Sequence, residues 1–420
     1  MFVNLKKLNC HYSLYIEELD LSCFPDLEYL DCGVNDLTSL DVSHNPKLTY
    51  LNCAANKLTG TLYLNGNPEL TYLNCQQNEL SAIEAQMCTK METFNCYSNE
   101  VEQLSLSTFA NLTDLWCSSN RISSLSLLSN ENLEVLRCDD NQLTSLNVGR
   151  NTKLKKLSVS GNNITSLGLS SNPDIENLDC SGLSLGILNI GHLSKLVYLD
   201  CSDCGLTALA LDGKPNMETL IIDGNKVGSI NVSKMNNLDY LSCVGCGLTS
   251  LNLKNNTLLT YLNCSNNQLT DIQLTSLSNL NDLNLSRNKI GDENMSKIFN
   301  LLPLREKMWV SGDFFEEEEE TGYWEYMCNI YVIDESEGDE ENVCSARTVS
   351  KANAKGWQCL AISDFFSYWE PYPGSETEIA TTVDAFAVAA DAPRYNLHGQ
   401  RVDGAYKRFV IVDGKKVIKR

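Results

Sequence analysis

The chain reads as an α/β repeat solenoid of about fourteen turns of 21–22 residues, with a concave parallel β-sheet, a mostly irregular convex side and a small α/β C-terminal cap. Three observations predict it. One phrase, Leu-x-x-Leu-x-Cys-x-x-Asn-x-Leu, recurs through two thirds of the chain, as in Leu48 to Leu58 and Leu133 to Leu143. Its cysteine phase falls at Cys10, Cys32, Cys53, Cys75, Cys96, Cys117, Cys138, Val159, Cys180, Cys201, Ile222, Cys243, Cys264 and Leu285, in steps of 22, 21, 22 and then a constant 21. So short a period leaves no room for long helices on the return half of a turn.

Counting the first Leu as position one puts the cysteine at six and the asparagine at nine. Positions four and six alternate inward on a short strand, so positions three and five point out on the concave face with no duty to the core. The position-nine amides (Asn35, Asn56, Asn78, Asn99, Asn120, Asn141, Asn162, Asn225, Asn267, Asn288) are expected to form a buried hydrogen-bond ladder where each strand turns away. A second alternating pair follows, such as Leu146 and Val148, and then turn chemistry such as Ser43-His-Asn-Pro46. These phrases resemble the leucine-rich repeat family over roughly residues 5–290. The resemblance implies a non-enzymatic scaffold that presents its strands to a ligand.

Composition narrows the partner. The net charge of −22 argues against nucleic acid and anionic membrane as bulk electrostatic targets. No apolar run is long enough to be a transmembrane segment. Of the 18 cysteines, eleven occupy one phase that Val159, Ile222 and Leu285 fill elsewhere, so an apolar slot explains them better than disulfides or metal. The opening Met1 to Cys10 has too short an apolar stretch for an export signal and already carries the first repeat phase. Because the solenoid starts in mid-phrase without a polar cap, further residues upstream, an export signal among them, are expected.

Beyond the solenoid (1–290) the expected organisation is an α/β capping segment (291–362), a linker (363–394) and a basic β tail (395–420). Gly291 to Leu302 predicts a helix with Asp292 as N-cap, stopped by Pro303. Strands are expected at Met308 to Val310, Tyr326 to Ile333 and Gln358 to Ile362, and a helix over Val343 to Lys355. The Lys355-Gly356-Trp357 phrase resembles the segment closing many bacterial leucine-rich repeat proteins. Tyr395 to Val402 and Phe409 to Arg420 resemble the C-terminal secretion segment of exported Bacteroidetes proteins, although this tail is shorter. These resemblances imply a secreted or outer-surface protein, similar to internalin-like and adhesin-like repeat proteins.

No catalytic signature and no cofactor motif is present, so no enzyme activity and no cofactor is expected. The pairs Cys201/Cys204 and Cys243/Cys246 imitate zinc ligands, but two turns of about 4.8 Å each separate them, too far to share one ion. The acidic stretch Asp334 to Glu341 lacks the spacing of a calcium loop and reads as solvated charge. The candidate contacts are therefore on the concave face. Tyr97, Asp114, Trp116, Arg137, Asp139, Asp140 and Lys156 lie on consecutive turns, and an exposed Trp beside an Arg is the composition of an interface hot spot. Tyr29, Tyr50, Tyr72, Tyr198, Tyr240 and Tyr261 at position three form a secondary set, serving either recognition or the shielding of strands. The expected partner is a protein ligand of a host or bacterial surface. The alternative is a glycan, stacked on the aromatics and bonded by Asp and Asn.

Overall fold

The computed structural model describes residues 4–13, 15–305, 307–311, 322–326, 328–334, 340–362, 370–375, 394–395, 410–412 and 415–417. The chain forms two compact units, Met1–Leu238 and Asp239–Arg420. Among the described residues of the first, eleven three-residue strands run from Lys7–Asn9 to Thr219–Ile221, each ending one residue before the cysteine phase. They pair in parallel without a register shift, so like positions stack on like. Asp114 lies beside Val135, Leu115 beside Leu136 and Trp116 beside Arg137.

The register follows from burial. Leu51, Cys53, Leu136 and Cys138 have no exposed surface, and slipping one residue would turn this inward set to water. Each enclosed leucine contributes about 1.5–3 kcal/mol. Val159 and Ile222 are as buried as the cysteines they replace, so the slot selects an apolar side chain. On the return half, Thr59–Tyr63 and Glu79–Glu84 form a short parallel pair, consistent with an extended convex side.

The position-nine ladder is present. Asn141 Nδ2 donates to the carbonyls of Cys117 (2.9 Å), Cys138 (3.2 Å) and Asp139 (3.1 Å), and its Oδ1 accepts from Ile122 N (2.9 Å). A second buried ladder was not anticipated. Asn45, Asn67, Asn130, Asn151 and Asn172 are fully enclosed and each donates to two carbonyls of the preceding turn, as Asn151 does to Leu127 O (3.2 Å) and Asn130 O (2.8 Å). These residues look like turn formers in the sequence, yet they point inward.

Position eight is left-handed throughout this unit. Val34, Ala55, Gln77, Ser98, Ser119, Asp140 and Asp203 have φ between 51° and 55°, and Gly161, Gly182 and Gly224 share the region. The chain bends there so that the position-eight N–H can reach a carbonyl one turn on, as Asp140 N does to Ser160 O at 2.9 Å. Satisfying that amide outweighs the local cost of the conformation.

In the second unit Tyr240–Ser242, Tyr261–Asn263 and Asp282–Asn284 pair in parallel, and Cys328–Asp334 and Trp357–Ile362 continue the sheet. Two helices cover this end, α1 (Asp292–Leu301) and α2 (Ala346–Ala354). Both differ from expectation at their start. Gly291 stands at the N-cap of α1 without a side-chain bond, because the Asp292 carboxylate instead accepts from Ser345 N at 2.6 Å. Ser345 caps α2, its Oγ accepting from Thr348 N at 3.3 Å, so that helix begins at Ala346.

The cap imitates a repeat. Ile330 and Val332 are buried in phase with the strands before them. Asn342 performs the position-nine duty, accepting from Ile290 N (2.9 Å) and donating to Leu285 O (2.7 Å) and Val332 O (3.0 Å). The Lys-Gly-Trp phrase closes α1: Lys355 Nζ donates to Asn300 O and Leu302 O, both at 2.7 Å, and buried Trp357 donates to Pro303 O at 2.8 Å. Gly356 has φ +81°, and a Cβ there would run into the Arg305 carbonyl. Lys307–Ser311 pairs antiparallel with Gly322–Tyr326, and Val410–Val412 with Lys415–Val417. Glu316 to Glu320, residues 335–339 and most of 363–394 and 395–420 lie outside the described residues.

Candidate binding face

Position five has a duty that sequence reasoning missed. On most turns it is Asp or Asn, and its Oδ1 accepts from the position-seven N–H: Asp31 from Gly33 (3.2 Å), Asn52 from Ala54 (3.2 Å), Asn95 from Tyr97 (3.0 Å), Asp179 from Ser181 (3.1 Å) and Asp200 from Ser202 (3.0 Å). Such an Asx turn ends the strand and satisfies an amide that would otherwise face water or be orphaned. The ladder stops at Trp116, Arg137 and Ser158, on three consecutive turns, resumes at Asp179 and Asp200, and stops again at Ile221. Those turns lack the Asx bond.

Position three shapes the space above them. Tyr29, Tyr50 and Tyr72 stack with centroids 4.4 Å apart, and Lys7 lies 4.2 Å over the Tyr29 ring. Shorter Thr93, Asp114 and Val135 follow, then Lys156 and Asn177, before Tyr198 stands up again. Between the tall residues lies a hollow of about 510 Å³ to which Tyr97, Trp116, Arg137, Asp139, Lys156 and Tyr198 contribute, with Gln76, Ser118, Ser158, Asn177 and Asp179 beside them. The second group was not singled out from sequence, although the Asx and Ser residues follow from the repeat.

Two expected members lie outside that lining. Asp114 Oδ2 accepts from Thr113 Oγ1 at 2.7 Å. Asp140 occupies position eight and lays its carboxylate against Gly161, where a Cβ would otherwise sit. Tyr29, Tyr50 and Tyr72 are likewise not in the lining, and Tyr240 and Tyr261 stack on each other at 4.1 Å in the second unit.

The hollow's charges are unevenly satisfied. Asp139 accepts from Ser118 Oγ at 2.8 Å, and Asp179 from Ser181 Oγ at 2.8 Å. The Arg137 guanidinium lies 5.4 Å from the Trp116 ring centroid, a cation–π distance. Arg137 and Lys156 are exposed, and neither side chain makes an ion pair or hydrogen bond to a described residue. Cations along the turn edges behave differently: Lys57 pairs with Asp36 (2.8 Å), Arg121 with Glu100 (2.8 Å), Lys155 with Glu134 (2.6 Å) and Lys195 with Asp174 (2.7 Å). Burial, then the Asp200 and Asp179 carboxylates, pushes the Tyr198 hydroxyl up to about 12, so it stays an O–H donor.

The cysteine slot is chemically quiet. Burial holds the Cys53, Cys96 and Cys264 thiols up at about 12, which leaves almost no nucleophilic thiolate at neutral pH. Cys204 donates to Cys180 O at 3.0 Å and Cys246 to Val244 O at 3.6 Å, each standing where asparagine stands on other turns. Among the described residues no three His, Cys, Asp or Glu side chains gather as a metal-ligand set, and no helix is long and apolar enough to cross a membrane.

Models of the Leucine Rich repeat match residues 150–171 and 276–299, and residues 258–280. The functional domain of InlJ from Listeria monocytogenes, which includes a cysteine ladder, is 31% identical, with 74% of this chain and 72% of that one covered and a TM-score of 0.67. The chain belongs to the leucine-rich repeat family. YopM from Yersinia enterocolitica is 26% identical over 69% of this chain and 58% of that one, with a TM-score of 0.57. A Leptospira interrogans leucine-rich repeat protein shares the fold at 24% identity, covering 67% of this chain and 78% of that one, with a TM-score of 0.61. No curated protein sequence matches. In this leucine-rich repeat chain cysteines occupy the same phase on most turns, while the Trp116 to Ser158 interruption departs from the repeat's own pattern.

Proposed function

We propose that this leucine-rich repeat chain is a non-enzymatic protein-binding scaffold of a bacterial surface or secreted protein, and that its ligand docks on the strand face at the Trp116–Arg137 hollow. The observation that carries the reading is that the three-turn break in the Asx ladder falls in the hollow, whereas the break at Ile221 does not. A residue that abandons a local structural bond, while its neighbours on both sides keep theirs, marks a place where local consistency yields to another demand. The face is set on short strands with locked register, so a ligand meets a preorganised surface and association loses little entropy. Enclosed thiols with raised pKa are compatible with an oxidising exterior, because neither access nor thiolate is offered to an oxidant.

A glycan ligand has less support. Sugar rings bind on open aromatic faces, whereas Tyr29, Tyr50 and Tyr72 stack on one another with interplanar angles of 8° and 3°, and Arg137 covers part of Trp116. The test is to pan the chain and its Trp116→Ala/Arg137→Ala variant over host and bacterial surface proteins and over a glycan array. A protein hit lost in the variant supports the reading. A protein hit retained moves the site elsewhere, and a glycan hit that free oligosaccharide displaces replaces the reading with the glycan one.

A further inference from the structure

Two cations without an ion pair, set in a lining that also holds the Asp139 and Asp179 carboxylates, identify what kind of protein segment the hollow fits. The chain carries a net charge of −22, and several of its turn-edge cations are neutralised by a carboxylate of the turn before. Arg137 and Lys156 break that habit on adjacent turns. The strand register sets Lys156 beside Val135 and Ser158 beside Arg137, which places the two cations on a diagonal. Diagonal neighbours in a sheet are about 7–8 Å apart, a gap that one carboxylate can span. The hollow's own carboxylates, Asp139 and Asp179, accept from serine hydroxyls and pair with neither cation.

The lining also has a direction. It passes from position seven at Gln76 and Tyr97, through position five at Trp116 and Arg137, to position three at Lys156 and Tyr198. It therefore crosses seven turns obliquely, about 29 Å at the spacing of paired strands, or eight to nine residues of extended chain. A single sugar acid fills a fraction of that length. An extended segment uses all of it.

We propose that the hollow captures an extended acidic segment of the protein ligand, with one carboxylate held between Arg137 and Lys156 and a planar or apolar side chain next to it on Trp116 and Tyr97. This rests on the protein-binding reading above and specifies its ligand. Arg137 is thereby oriented from both sides, by the indole face and by the incoming carboxylate, and it presents a planar fork suited to bidentate pairing.

The experiment uses random dodecapeptides displayed on phage, selected against the full chain, with the enriched peptides then synthesised. The expected result is enrichment of Asp or Glu beside an aromatic or aliphatic residue. Affinity should fall roughly tenfold or more in Arg137→Gln/Lys156→Gln and in Trp116→Ala, and should weaken with added salt. Replacing the peptide's acid by its amide should cost the same and leave the double variant unaffected. All three substitutions alter exposed side chains, and melting curves confirm folding. Peptides that bind through Trp116 without acid enrichment, or equally well to Arg137→Gln/Lys156→Gln, overturn the acidic-segment proposal and leave the protein-binding reading intact. Peptides indifferent to Trp116, Arg137 and Lys156 alike overturn both. Displacement by free glucuronate but not by free glutamate overturns the proposal in favour of an acidic sugar.

Discussion

Val34 holds a β-branched side chain on a backbone at φ 55°, a region that costs an L-residue roughly 1–2 kcal/mol. Gly161, Gly182 and Gly224 solve the same bend without that cost. Val34→Gly should therefore stabilise the first unit by about 0.5–1 kcal/mol, net of glycine's larger unfolded-state entropy; a lowered urea midpoint would show that the valine packs well enough to outweigh its backbone. Lys214 is the opposite kind of misfit. It is fully enclosed in the slot that holds Asn45, Asn130 and Asn151 on other turns, and its Nζ reaches only Gly191 O and Asp212 O at 3.3 Å. Burial lowers its pKa from 10.5. The unfolded chain then binds more protons, so this residue's contribution to stability rises with pH between the lowered value and 10.5. In Lys214→Asn the amide can donate to the Ile190 and Leu193 carbonyls, as its counterparts do one turn away. The variant should melt higher by about 1–2 kcal/mol near neutral pH, with the gain shrinking as pH approaches 10.5. A pH-independent gain would mean that the wild-type amine is not penalised by burial.

At the scale of elements, position-nine asparagines do what no isosteric neighbour can, donating and accepting at one buried point. Asn99 donates to Cys75 O (3.0 Å) and Cys96 O (3.2 Å) and accepts from Leu80 N (3.0 Å). Asn99→Asp keeps the acceptor, loses the donors and faces two carbonyls with a charge. It should cost more than Asn99→Ala, itself about 2–4 kcal/mol through unsatisfied buried groups, as urea melts of both variants would show. In the cap, Gly356→Ala combines a positive φ with collision against the Arg305 carbonyl. It should destabilise by roughly 2–3 kcal/mol, and faster hydrogen exchange confined to α1, α2 and the Trp357–Ile362 strand would verify it. The position-nine ladder was legible in the sequence because Asn at a fixed distance from a buried Cys leaves few other roles. The second ladder was not, since Asn45-Pro46, Asn67-Pro68 and Asn172-Pro173 carry the composition of solvent-facing turns and acquire an inward duty only when turns stack. Asn342 was hidden for another reason: the insertion after Ile290 breaks the period that would have aligned it. Likewise Trp116 and Arg137 could be read as an exposed pair, but that they replace Asx turns was not, because the bond from position five to the position-seven N–H shows only in the structure.

On the scale of the molecule, stability in a stacked array is a sum of turns and nearest-neighbour contacts, so damage should spread from its origin. The thiols make that spread measurable. Cys23 is exposed and Cys10 half-exposed, whereas the cysteines of the repeat slot from Cys32 to Cys264 are buried. The native chain should therefore react with Ellman's reagent first at Cys23 and Cys10, and the thiols held near 12 should stay silent even at pH 9. Leu136 is fully enclosed in the strand between those of Leu115 and Leu157. Leu136→Asp puts an unpaired charge in the core shared by three turns. Pulsed alkylation read residue by residue should then find, among the buried thiols, Cys117 and Cys138 labelled first, Cys96 and Cys180 next, and Cys344 and Cys359 in the cap last. That order follows because each turn is held by its neighbours, and the cap by contacts with α1, α2 and the strands on either side of it. A single labelling rate from Cys32 to Cys359 would instead mean that the chain opens as one cooperative body, and the nearest-neighbour account would fail.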